Sequence, residues 1–131
     1  MSTRLASCCC GKLSAEVDGD PIRVSVCHCL ACQRRSGSVF AAQAKFHRDK
    51  VTITGQGTDF VRIGDEGTKG TFTFCPDCGT TVFYASELQQ DQIAIPVGVF
   101  ADPTFPGPTF SVYEERMHGW VVMPEDIEHV F

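Results

Sequence analysis

The chain has 131 residues, 43% hydrophobic and 21% charged, with 11 basic side chains against 16 acidic and a formal net charge of −5. That size and balance suit one globular domain, residues 1–131, and exclude wholesale disorder. The acidity argues against a nucleic-acid partner, which calls for a basic face. No stretch approaches the roughly 20 apolar residues of a membrane span, and Met1-Ser2-Thr3-Arg4-Leu5-Ala6-Ser7 lacks a signal peptide's apolar run. A cytoplasmic protein without a membrane partner is expected.

The ordered core is expected over about 8–123, opening on Cys8-Cys9-Cys10-Gly11. Leu13, Ala15 and Val17 alternate with polar residues as in a half-buried strand. A turn at Asp18-Gly19-Asp20-Pro21 leads to a second strand, Ile22 to Val26, which runs into Cys27-His28-Cys29-Leu30-Ala31-Cys32. A helical turn from Leu30 to Ser36 stops at Gly37. Strands are expected at Val39–Phe46, Val51–Thr54, Phe60–Ile63 and Thr71–Phe74, then at Thr80–Tyr84 beyond Cys75-Pro76-Asp77-Cys78-Gly79. A brief helical turn is expected at Ser86–Asp91. Ile93–Phe100 reads as a strand whose Pro96 implies an edge or a bulge. Ala101–Thr109 is a proline-rich loop and Phe110–Tyr113 a last strand. Many short strands with turn punctuation make a mostly β domain.

Eight cysteines in tight local clusters, without a secretory signal, point to metal rather than to disulfides. The residues after Cys78, Gly79-Thr80-Thr81-Val82-Phe83-Tyr84, form strands better than helices, which favours a metal knuckle over a thioredoxin-like redox pair. A knuckle supplies two ligands; Cys8 and Cys10, two apart and followed by Gly11, supply two more. Cys8, Cys10, Cys75 and Cys78 thus make a closed four-thiolate zinc site. Structural zinc of this kind contributes on the order of 10 kcal/mol to folding.

Cys27, Cys29 and Cys32 can converge on a second ion, because two positions in a strand and three in a helical turn each return to one face. Spacing leaves Cys9 open as its fourth ligand, although Cys9 is expected to face away from Cys8 and Cys10 into packing. By spacing alone, a second structural zinc and an open site weigh equally. Three thiolates donate heavily to the ion, so lowering the pKa of an incoming thiol suits the site better than activating water. His28, between two ligands, is expected to face away from them. Arg34 and Arg35 are candidates for holding a carboxylate, Phe40 and Trp120 for walling a pocket, and His118 and His129 carry no spacing signal.

Together, Cys8-x-Cys10-Gly11, Cys27-His28-Cys29-x-x-Cys32 with Arg35-Ser36-Gly37, and Phe74-Cys75-Pro76-x-Cys78-Gly79-Thr80 resemble the glutathione-dependent formaldehyde-activating enzymes, the family shared with the centromere protein V domain. Gly98, Asp102-Pro103, Pro108, Arg116 and Trp120 extend the resemblance downstream. It departs at Ser111, where the family often has histidine, and at Phe72-Thr73, where it often has an arginine just before the Phe-Cys. The resemblance implies an Mss4-like zinc-stapled β fold, with a structural zinc on Cys8, Cys10, Cys75 and Cys78. It also implies an active-site zinc on Cys27, Cys29 and Cys32. It further implies a carbon–sulfur lyase activity that joins a small thiol, glutathione in the named enzymes, to an aldehyde, formaldehyde. The other function class is a non-catalytic zinc-binding module that engages a protein partner on the same scaffold. A concave site at the second metal favours the enzyme; an exposed apolar patch without a pocket favours the module.

Overall fold

A computed structural model describes residues 2–131; the expected domain start, Met1, lies outside them. Eleven strands form two sheets. The small sheet has the order β1-β2-β5, from Thr3–Ser7, Ser14–Asp18 and Val51–Thr54. The large sheet has the order β11-β10-β3-β4-β9-β8-β7-β6. In chain order its strands are β3 (Arg23–Cys27), β4 (Ala41–His47), β6 (Thr58–Ile63), β7 (Lys69–Phe74), β8 (Thr81–Ser86), β9 (Gln92–Pro96), β10 (Phe110–Val112) and β11 (Glu128–His129). Among the described residues a single α-helix, α1, spans Leu30–Ser36. The mostly β expectation holds.

The core forms where the small sheet lies on the large one. Ala6, Leu13, Ala15 and Val17 pack against Val24, Ala44, Phe46, Val82, Ile93, Ile95, Phe100 and Phe105. The alternation of Ala15 and Val17 along β2 is the period-two pattern that one buried face requires. The small sheet is tied down at Gly55, where φ is +100° and an added Cβ would meet the Lys12 carbonyl oxygen at 1.9 Å. Only glycine permits that approach.

Four elements differ from expectation. β1 precedes the anticipated core, held by a five-residue antiparallel register with β2. β11 follows it, as a two-residue parallel pairing with β10. β9 ends at Pro96 and passes into a 3-10 turn at Val97–Phe100. It lies inside the sheet between β4 and β8, so its proline ends the strand rather than marking an edge. Residues 87–91 make hydrogen-bonded turns, with the Gln89 and Gln92 amides donating to the Ser86 and Gln89 carbonyls, and no helix.

Beyond the sandwich the large sheet runs on as β8-β7-β6, and β6 is exposed along its whole length. Opposed residues set one row across this wing: Phe60 faces Phe72, and Phe72 faces Tyr84. Helix α1 is linked to the row through Arg35, whose guanidinium lies 5.4 Å from the Phe72 ring centroid and 5.0 Å from that of Tyr84. The gap between helix and wing is where the site lies.

Candidate metal centres and the cavity between them

The first cluster is built by two tight turns that meet. Cys8 follows directly on β1; its amide donates to the Leu13 carbonyl, and Gly11, at φ +83°, returns its amide to the Cys8 carbonyl. In the knuckle, the Cys75 amide donates to the Thr80 carbonyl, and Gly79, at φ +81°, donates to Cys75. Cys10 Sγ lies 3.6 Å from Cys8 Sγ and 3.6 Å from Cys75 Sγ, and the four sulfurs of Cys8, Cys10, Cys75 and Cys78 lie within 4.8 Å of one another. A tetrahedral ion with bonds of about 2.3 Å needs sulfurs about 3.8 Å apart, so the set fits. Lys12 Nζ and Asp77, 2.8 Å apart, join the two turns from outside.

Thr80 completes this cluster. Its hydroxyl accepts from the Cys9 amide at 3.2 Å and lies 3.4 Å from Cys78 Sγ. Hydroxyl and backbone N–H of Thr80 bring Cys78 down to about 5. Around Cys10 the Lys12 N–H favours thiolate, but burial and the neighbouring sulfurs outweigh it and push the group up to about 12. Four sulfurs this close cannot all ionise unless a cation joins them. Cys9 itself is exposed, not packed as expected: the turn that converges its neighbours turns Cys9 outward.

The second cluster spans three kinds of backbone. Cys27 ends β3, Cys29 is extended (φ −63°, ψ 153°) as the N-cap of α1, and Cys32 sits in the first helical turn. Cys29 Sγ accepts the Cys32 amide at 3.4 Å, so the sulfur performs the capping that Ser or Asp usually performs. Gly37, at φ +75°, ends the helix by donating to the Gln33 carbonyl. The three sulfurs lie within 4.8 Å of one another, and among the described residues no further Cys, His, Asp or Glu joins them. Cys32 donates to Cys27 and, against the effect of burial, helps bring it down to about 6; the Cys29 N–H and the charge of Arg62 act in the same direction. The same hydrogen bond and burial push Cys32 up. Cys9 lies with the other cluster and not with this one.

His28 points away from the sulfurs, as expected, into full burial. Its Nε2 is 3.0 Å from Ser111 Oγ, and Nδ1 has no partner. Ser111 in turn favours the Glu114 carboxylate, which lies 2.6 Å from His129 Nδ1. The Ser111 hydroxyl thus lies between the buried imidazole and the Glu114 carboxylate. Burial keeps this imidazole below its ordinary value, hence neutral. His118, unassigned in the sequence, lies 3.1 Å from Gln33 Oε1, and Gln33 Nε2 donates to the His28 carbonyl at 2.8 Å. The loop around His118 is thereby tied to the back of the cluster.

Between α1 and the β6–β7 wing lies a cavity of about 570 Å³ whose lining includes Cys32 and Gly79 of the knuckle. Phe60, Phe72 and Phe74 line it, together with Arg34, Arg35 and Arg62. Arg34 and Arg35, the sequence's candidates for holding a carboxylate, both border this space. Phe40 packs on His28 at 5.9 Å between centroids, and Trp120 is 72% exposed, so neither walls the cavity. Phe60, Arg62, Phe72 and Phe74 were not singled out in the sequence as walls of a pocket. The alternation of Phe60 with Arg62, and of Phe72 with Phe74, was readable there, but not which face of which strand would meet the helix.

Comparison with known proteins agrees with this architecture. A family model described as "Glutathione-dependent formaldehyde-activating enzyme" matches residues 3–116. No curated protein matches. A crystal structure of a Rhodobacter sphaeroides protein superposes with a TM-score of 0.61 at 20% identity, covering 82% of this chain and 98% of that one, which speaks to the fold alone. With two cysteine clusters able to hold metal ions and a family match running from β1 past β10, the chain belongs to the glutathione-dependent formaldehyde-activating enzyme family.

Proposed function

We propose that the protein is a zinc-dependent enzyme that makes and breaks the carbon–sulfur bond of a small thiol–aldehyde adduct. The observation that carries this reading is a three-thiol cluster, with no fourth protein donor among the described residues, one of whose members, Cys32, lines a cavity. Cys8, Cys10, Cys75 and Cys78 hold a closed structural zinc, and Cys27, Cys29 and Cys32 a second zinc at the active site. Closed four-ligand sites stabilise folds, whereas three-ligand sites keep a position for substrate. A zinc ion in the second cluster supplies a stabilised thiolate near neutral pH.

The residues around it account for the remainder. In the cleavage direction the carbon–sulfur bond breaks with its electron pair going to sulfur, the adduct hydroxyl loses its proton as the carbonyl forms, and sulfur takes up a proton. No oxidant or reductant is needed. Arg34, Arg35 and Arg62 hold the anionic part of the substrate, and Phe60, Phe72 and Phe74 keep water from the reacting carbon. Tyr84, whose phenol burial pushes above its ordinary value, stays protonated and stacks on Phe72, one of the cavity's walls. The competing protein-interaction reading needs an apolar face without a pocket at this cluster, and the cavity tells against it.

The test is to load the protein with cobalt and follow the thiolate–metal absorption while 2-mercaptoethanol and then formaldehyde are added. One of two ions is expected to respond to thiol and to revert when aldehyde captures it. Two ions that both ignore the thiol overturn the proposal.

A further inference from the structure

Arg34, Arg35 and Arg62 contribute three positive charges to the cavity of a chain with net charge −5, and no acidic residue lines it. None of the three makes an ion pair among the described residues. Asp59, next to Phe60, belongs to the opposite face of β6, where its carboxylate accepts from the Thr73 hydroxyl at 2.7 Å. Beneath the arginines the walls are aromatic. Phe72 stacks on Tyr84 at 4.8 Å, while Phe60, one strand further out, remains 59% exposed with no aromatic stacked on it. Arg35 is braced over two rings, whereas Arg34 and Arg62 are exposed.

We infer that this cavity takes a thiol with an apolar, ring-sized body ending in a single carboxylate, an aryl- or alkyl-substituted mercaptocarboxylate, in preference to a peptide thiol such as glutathione. The inference rests on the proposed open metal position, and narrows it to a substrate class. The body lies on Phe60, Phe72 and Phe74, and the carboxylate meets Arg62 and Arg34. Peptide amides there would lose water against phenylalanine faces and gain few partners, since arginines offer only donors and the walls offer almost no acceptors. An aromatic body loses nothing of the kind and covers the exposed Phe60 ring.

The experiment separates the cavity from the metal by using ligands that engage only one of them. On the zinc-loaded protein, 3-phenylpropionate, which carries no thiol, is titrated by calorimetry against propionate and 3-phenyl-1-propanol. It is expected to bind at least about ten-fold more tightly than either, since ring burial and charge pairing are each worth that much. Arg62→Gln is expected to lower phenylpropionate binding about ten-fold and leave the alcohol unchanged; Phe60→Ala is expected to weaken both. On the cobalt-loaded protein, 2-mercapto-3-phenylpropionate is expected to perturb the thiolate–metal absorption at lower concentration than glutathione does.

Equal binding of phenylpropionate and propionate, or a response to glutathione at the lower concentration, overturns the inference. If phenylpropionate binds as expected while no thiol changes the cobalt spectrum, the carboxylate cavity stands and the open metal position falls. A thiol response without phenylpropionate binding leaves the metal proposal intact and removes this one.

Discussion

The double variants Cys8→Ser/Cys10→Ser and Cys27→Ser/Cys29→Ser each delete two thiols from one cysteine cluster and so open its loop, and the two loops differ greatly in length. The first cluster joins Cys10 to Cys75, 65 positions apart. The second joins Cys27 to Cys32, five positions apart. Loop-closure entropy grows as (3/2)RT ln n, so the longer loop restricts the unfolded chain by about 2 kcal/mol more. The metal–sulfur bonds lost are of one kind and cancel to first order in the comparison. Urea unfolding in the presence of stoichiometric zinc, followed by far-UV circular dichroism, reads the difference. With a slope of about 1–3 kcal/mol per molar, Cys8→Ser/Cys10→Ser is expected to lower the midpoint by on the order of 1 M more than Cys27→Ser/Cys29→Ser does. Equal losses, or a greater loss from Cys27→Ser/Cys29→Ser, would refute the assignment of the first cluster as the long-range clip.

Three further outcomes are expected. Ser111→Ala leaves the buried His28 Nε2 without its partner 3.0 Å away, and should cost about 1–3 kcal/mol in chemical denaturation; a loss below about 0.5 kcal/mol would contradict a buried His28–Ser111 hydrogen bond. Gly55→Ala, at φ +100° with its Cβ directed onto the Lys12 carbonyl, should destabilise by at least about 2 kcal/mol, whereas Gly67→Ala, at φ +84° with open space around it, should cost only about 1–2 kcal/mol; equal thermal shifts would count against the close packing of the 55 turn on Lys12. The pairing of β10 with β11 should depend on pH through Glu114 and His129. Burial raises the Glu114 carboxyl, but His129 and Ser111 bring it below its ordinary value of 4.5, and Glu114 holds His129 above 6.5. The Glu114 contribution is complete above 4.5 and lost as pH falls through its lowered value, while that of His129 is complete below 6.5 and lost as pH rises through its raised value. Protection of the Glu114 and Val130 amides, corrected for intrinsic exchange, should therefore peak between about pH 4.5 and 6.5, and a profile still rising at pH 8 would refute the pairing.

The metal clusters were legible because their geometry is local. A knuckle turn, a glycine with positive φ and a strand leading into a helical turn each bring sulfurs together over a few residues, and the spacing reports it. The cavity was not legible, because its walls depend on register between β6 and β7 and on which face of that wing meets α1. Nothing in Phe60-Val61-Arg62 says which side is the inside when both sides of β6 are exposed. β1 was missed for a related reason: Leu5 is 57% exposed and only the small Ala6 is fully buried, so Thr3–Ser7 carries almost no alternation to read. β11 is two residues long and exists only because β10 offers it an edge. Trp120 misled in the other direction, since a large apolar side chain is no guarantee of burial.

Cys29 both caps α1 and belongs to the second cluster, and the same short helix carries Arg34 and Arg35 into the cavity. Gly79, in the turn that the first cluster closes, lines the same cavity. The recognition surface is thus slung between two cysteine-built turns and belongs to neither. On the function proposed above, an ion missing from the second cluster would slacken the helix that carries the arginines, and one missing from the first would loosen the wall at Gly79. Both ions would then bear on selectivity, and the one assigned to the closed site would hold one wall of the pocket.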